Sequence, residues 1–114
     1  MLPHPPRVTA ATRARWVVEL SAAVAHASRG RYAEARSLME RLAVEIEKAL
    51  GPDTEELLEP LSVIGHATRE AGLLADSFTV MLRTLTISEK HHGEEGLVTC
   101  RHRTQIGALS EHDP

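Results

Sequence analysis

Residues 30–53 read GRYAEARSLMERLAVEIEKALGPD, and the fold follows from this stretch. Gly30 and Gly51 bracket a run that predicts one helix from about Tyr32 to Leu50, because a glycine just past a helix end supplies the left-handed backbone position that stops it. Within the run, Ala35, Leu38, Met39, Leu42, Val44 and Ile46 are read as the inward stripe. Arg36/Glu40 and Arg41/Glu45 lie four apart on the outside. Each such exposed pair contributes only about 0.2–0.5 kcal/mol, so burial of the stripe decides the helix.

The same punctuation recurs along the chain. Gly30, Gly51, Gly72 and Gly93 stand 21 residues apart. Other features return at twice that interval: Ala33 as Ala75, Met39 as Met81, Arg41 as Arg83, Glu47-Lys48 as Glu89-Lys90, and Ile64-Gly65 as Ile106-Gly107. The unit is therefore a pair of helices spanning 42 residues. Paired helices at such a period make a solenoid, in which each unit buries its apolar face against its neighbours.

The stretch from Gly30 to Asp53, with its helix-ending Gly-Pro-Asp, closely resembles the tetratricopeptide repeats of the kinesin-light-chain type. That resemblance runs from Trp16 to about Ser110. It matches the family's small-residue positions at Ala23, Gly65 and Gly107 in first helices and at Ala35 and Ser77 in second helices. The family's turn glycine falls on Gly30 and Gly72, followed by Tyr32 and Leu74. The resemblance implies an all-α fold, a right-handed α-α superhelix of about two and a half helical hairpins, five helices in all. Repeats of this family usually carry a groove-side asparagine that contacts peptide backbone, and the chain contains no Asn. The resemblance therefore implies the scaffold and not that contact.

Composition bounds the function. With 114 residues the chain is one domain. Aromatic residues make up only 3%, so Leu, Ala, Val and Met must fill the helix interfaces. A net charge of -3 gives no reason to expect nucleic acid, whose phosphates require clustered Lys and Arg. One cysteine, Cys100, excludes an internal disulfide and fits a reducing compartment. The opening MLPHPPR lacks the apolar run of a signal peptide, and no stretch approaches the roughly 18 apolar residues of a membrane span. A cytoplasmic protein without nucleic-acid or membrane partners is expected. Frequent Ala and Arg match the coding bias of a GC-rich bacterial genome.

Along the chain, residues 1–8 hold three prolines and are expected to be extended or disordered, with the repeat domain over 9–110 and a polar tail over 111–114. Thr9 is placed to cap a first helix reaching about Ser28, with Trp16, Val17, Leu20, Ala23, Val24 and Ala27 as its apolar stripe. Asp53 followed by Glu56 reads as a capping box opening the third helix. Pro60 lies inside that helix and predicts either a kink or a delayed start. The fourth helix is expected from about Leu74 to His91 with Phe78, Met81, Leu82 and Leu85 inward, while Thr79, Thr84 and Thr86 weaken its propensity. A fifth, over about 95–110, would end the solenoid as a polar-faced cap or offer its uncovered side to another chain.

In the family the concave groove is lined by the first helix of each unit. Carrying those positions over implies Val17, Leu20, Ser21 and Val24 in the first unit. The second unit supplies Ser62, Val63, His66, Arg69 and Glu70, and the third Arg101, Thr104, Gln105 and Ala108. Such a wall is greasy at one end and basic at the other. It suits an amphipathic helix or an extended segment bearing an acidic group, since arginine grips a carboxylate with two bonds; the alternative is that these residues pack a closed or self-associating groove.

Three other features of the sequence bear on chemistry. His91, His92, Cys100 and His102 are zinc-ligand types, but adjacent residues point about 100° apart on a helix. They read as exposed histidines near a loop and a small buried cysteine, with metal binding the alternative. His66 could act as a base or a pH-sensitive contact, with Glu70 one turn away, yet no nucleophile is fixed beside it by spacing. No phosphate-cradling loop, paired-carboxylate motif or nucleophile elbow occurs in the sequence. The expectation is a non-catalytic scaffold without cofactor or metal, binding a protein or peptide partner in its groove. The alternatives are a homodimerisation module and an accessory protein taking a small apolar ligand there.

Overall fold

A computed structural model describes residues 8–93. The expected N-terminal arm (except Val8), the fifth helix, the polar tail, Cys100, Arg101, His102 and Gln105 lie outside the described residues. Four helices follow in order: α1 (Ala10–Ser28), α2 (Tyr32–Leu50), α3 (Leu58–Glu70) and α4 (Leu74–His92), with a short 3-10 turn, Glu55–Leu57, leading into α3. The connectors between α1 and α2 and between α3 and α4 are three residues each, too short for anything but reversal, so the helices pair as antiparallel hairpins. Each helix packs on the next, and α3 also lies against α1. This is an all-α helical-repeat fold.

The four glycines have positive φ, between 75° and 97°, but they are of two kinds. At Gly30 the glycine N–H bonds to the Ala27 carbonyl and the following Arg31 N–H reaches back to His26. The same pair of bonds recurs at Gly72, where Gly72 and Leu73 donate to Arg69 and Thr68. Both are Schellman turns inside a hairpin. Gly51 and Gly93 instead cap the second helices, at φ 97°, ψ 166° and φ 75°, ψ 170°, a region that essentially only glycine enters. Two alternating glycine geometries are the physical reason that the repeat is 42 residues rather than 21.

Thr9 caps α1, its hydroxyl accepting from the Thr12 N–H at 3.1 Å. Asp53 does not open α3 as expected. Thr54 takes that place, accepting from the Glu56 N–H at 3.4 Å, because the preceding residues are still turning out of α2. Pro60 then falls third in α3, within the first turn where no backbone donor is required. The delayed start removes the need for a kink.

The core joins Trp16 and Ala23 of α1 with Ala35, Met39, Leu42, Ala43 and Ile46 of α2 and Leu57, Leu58, Leu61 and Ile64 around the start of α3. Two expected inward residues face out: Val44 is 50% and Leu82 43% exposed. Val44 stands about 200° around the helix from both Leu42 and Ile46, so burying those two turns it to solvent. On α4 the buried row is Ser77, Met81, Thr84 and Ser88, spaced four, three and four apart, with Ile87 beside it; Leu82 lies on the far side. Phe78 and Leu85 are half-buried. Hydroxyls are satisfied within this row: Ser77 donates to the Gly65 carbonyl at 2.7 Å and Thr84 to Val80 at 2.9 Å.

Charged side chains link the layers. Arg36 and Glu40 form their expected pair at 2.6 Å, but Glu45 does not pair with Arg41. Glu45 accepts from Arg15 and from the Trp16 indole N–H, tying α2 to α1. Arg83 of α4 bonds to Glu47 of α2 and, at 3.3 Å, to the Pro52 carbonyl. At the end of α4, Lys90 meets Asp53 at 3.2 Å, His91 Nε2 lies 2.7 Å from the Asp53 carbonyl, and His92 approaches Glu55 at 3.5 Å.

Candidate binding groove

The first helices, α1 and α3, lie side by side, and their meeting line carries two adjoining depressions of about 340 Å³ each. The one nearer the start of α1 is walled by Trp16, Val17 and Leu20, with Leu42 and Ile46 at its back and Pro60, Arg13, Glu56 and Glu59 around it. The other lies between Val24, Ala27 and Ser28 of α1 and Ser62, Val63 and His66 of α3, again with Glu59. Glu59 borders both, so the two form one trough along the α1–α3 seam.

The helical register explains this lining. Trp16 and Ala23, seven residues apart, turn inward and are buried; Val17 and Val24 follow each of them by one position and come round to the trough. Val17 remains 62% and Val24 49% exposed, while Leu20 and Val63 rest partly against the core. His66 is steadied by the Tyr32 ring, edge to face with centroids 6.0 Å apart and planes at 79°. The Ser62 hydroxyl oxygen is shielded from solvent and has no hydrogen-bond partner.

Of the expected groove positions, Val17 and Leu20 meet at one depression and Val24, Ser62, Val63 and His66 at the other. Ser21 is exposed and lines neither; Arg69, near the end of α3, lines neither. Arg101 and Gln105 lie outside the described residues. The charged residues lining the described trough are Arg13, Glu56 and Glu59, and Arg13 is already paired with Glu56; the expected basic end rests on Arg101, outside the described residues. Sequence reading missed Glu56, Glu59 and Pro60 as lining residues because it assigned the first two turns of the third helix to capping and core.

Electrostatically the firmest point lies beside the trough. The hydrogen bond from Arg15, with that from the Trp16 indole, holds the Glu45 carboxyl below the usual carboxylate range, and the same carboxylate raises Arg15. This clasp fixes Trp16, whose ring walls the first depression. Among the described residues no cluster of three or more His, Cys, Asp or Glu side chains is placed to hold a metal ion. His91 and His92 contact the 53–55 connector.

Residues 21–56 match the family model for the tetratricopeptide repeat. The chain carries a tetratricopeptide repeat. The match runs from the middle of α1 through α2 into the 3-10 turn, bearing out the family read from residues 30–53. The second hairpin lies outside the matched span, yet it repeats the Schellman turn at Gly72 and the glycine cap at Gly93. No curated protein matches the chain. Tetratricopeptide repeats are non-catalytic scaffolds that generally mediate protein–protein interactions, and the α1–α3 trough occupies the side of the repeat formed by its first helices. No helix among the described residues is long and apolar enough to cross a membrane.

Proposed function

We propose that this chain is a non-catalytic interaction module that holds a segment of a partner protein in the α1–α3 trough. The observation that carries the reading is the pair Val17 and Val24, apolar side chains left 62% and 49% exposed along a continuous concave line. Covering them removes apolar surface from water, worth about 25 cal/mol per Å² before the costs of association. The single cysteine suits a reducing compartment, which supports reading it as a cytoplasmic module.

The test is a peptide-display selection against the full chain, followed by calorimetric titration of an enriched peptide into the wild type and a Val17→Ser/Val24→Ser variant. Both positions are exposed, so the variant keeps its helices. The trough reading expects binding to fall at least tenfold in the variant; equal affinity would sink it.

A further inference from the structure

The two hairpins differ at the edge that precedes each of them. Pro60, Ile64 and Ala67 of α3 are buried, whereas their counterparts 42 residues earlier on α1 are not: Val18 is 67% exposed, and Ala22 and Ala25 face solvent. What α3 has and α1 lacks is a preceding second helix, since α2 packs on α3. That helix is also held by charge. Arg83 of α4 bonds to Glu47 in the last turn of α2 and to the Pro52 carbonyl, and Lys90 meets Asp53 in the turn beyond.

The same two cations stand 42 residues earlier as Arg41 and Lys48 of α2, seven positions and so about 10 Å apart along the helix at 1.5 Å per residue. Both are exposed, and neither side chain forms an ion pair or hydrogen bond among the described residues. Arg41 borders a depression of about 480 Å³ shared with His26 of α1 and with Ala33, Glu34, Ser37 and Leu38 of α2, and there the His26 Nδ1 is shielded from solvent without a hydrogen-bond partner. The outer edge of the first hairpin thus carries the row and the two cations that hold α2 on the second. Ala49 and Leu50 stand where His91 and His92 do, so the histidine contacts to the 53–55 connector have no counterpart at this edge.

We propose that this edge is a second interaction surface, separate from the trough. It takes the end of a partner's α-helix bearing a glutamate in its last turn and an aspartate or glutamate six positions later, in the turn that follows. The partner helix runs in the same direction as α2, just as α2 runs in the same direction as α4. Its apolar side chains cover Val18, Ala22 and Ala25, and its two carboxylates meet Arg41 and Lys48. Arginine takes a carboxylate with two bonds and lysine takes one as a point charge. Exposed ion pairs add little affinity each; covering the apolar row drives association, and the pairs set which helix end is accepted and in which direction.

The probe is a peptide of residues 32–54, α2 with the turn that follows it, held helical by a side-chain staple and titrated into the full chain by fluorescence anisotropy. Binding to the wild type is expected, falling about tenfold in Arg41→Glu/Lys48→Glu, a change of about 1.4 kcal/mol. A peptide carrying Glu47→Lys and Asp53→Lys should bind the wild type equally poorly and be rescued by the charge-reversed chain. Val17→Ser/Val24→Ser should leave the affinity as it is, which separates this edge from the trough. Circular dichroism checks that the helices of both variants persist.

Equal affinity for the charge-reversed chain, or a loss in Val17→Ser/Val24→Ser instead, overturns the proposal. So does a wild type that leaves the peptide unbound. A wild-type dimer that dissociates in Arg41→Glu/Lys48→Glu gives the edge to a second copy and likewise contradicts it.

Discussion

The Ser77 hydroxyl of α4 donates to the backbone carbonyl of Gly65 in α3 at 2.7 Å, with both residues buried. A Cβ added at Gly65 would lie 2.3 Å from the Met81 terminal methyl, so the second hairpin closes by direct approach of one helix to the other's backbone. The first hairpin solves the same position differently. Ala23 stands where Gly65 does, Ala35 where Ser77 does, and Met39 where Met81 does, all three fully buried.

That comparison predicts the cost of Ser77→Ala. Alanine fits sterically, as Ala35 shows, and the Gly65 carbonyl keeps a bond from the Thr68 hydroxyl at 3.0 Å. The loss is one neutral hydrogen bond, so urea unfolding should register about 1 kcal/mol. Ser77→Val, which adds bulk at the same point, should cost about 1–3 kcal/mol.

Gly51 and Gly30 should respond unequally to substitution. Neither has any atom within 4 Å of an added Cβ, so only the backbone differs. Gly51, at φ 97°, ψ 166°, occupies a region barred to side chains, and Gly51→Ala should cost about 1–3 kcal/mol. Gly30 sits in a Schellman turn that asparagine also enters, and Gly30→Asn should lose less than Gly51→Ala. Equal losses in thermal unfolding would contradict the two-geometry account of the repeat.

Acid should weaken the Glu45 clasp. Because Arg15, and after it the Trp16 indole, depresses the folded-state pKa of Glu45, the stability it adds is fully present above the ordinary glutamate value. It is lost as pH falls from that value through the lower folded one. Melting temperatures of wild type and Glu45→Gln should therefore differ near neutrality and converge in acid. Trp16 is the chain's one tryptophan, so its fluorescence should follow the same titration.

Exposed trough residues should be stability-neutral. Val17→Ser and Val24→Ser each remove an apolar side chain that is largely exposed to water, so chemical denaturation should shift by no more than about 0.5 kcal/mol. A large loss would mean that the trough is covered in the free protein.

Much of this architecture was legible in the sequence because glycine punctuation and helix caps are local. The α2 bounds followed from Gly30 and Gly51, the cap from Thr9, and Pro60 announced where α3 could begin. What was not legible depends on neighbours. Thr84 and Ser88 look like surface residues until helix approach makes them core, and Leu82 looks like core until the buried row of Ser77, Met81, Thr84 and Ser88 turns it outward. Glu45 has Arg41 one turn away, yet it turns to Arg15, thirty residues earlier in the chain, which no local rule would suggest. The trough's apolar residues could be carried over from the family pattern. Its charge could not, because Glu56 and Glu59 enter only through the way the 3-10 turn sets α3 against α1.

The most direct test of the central claim is amide exchange across the chain with and without a selected peptide. Occupation of the trough predicts slowed exchange and side-chain perturbation confined to residues 13–28 of α1 and 56–66 at the start of α3. Changes centred instead on the outer faces of α2 and α4, around Val44 and Leu82, with α1 and α3 unaltered, would contradict it.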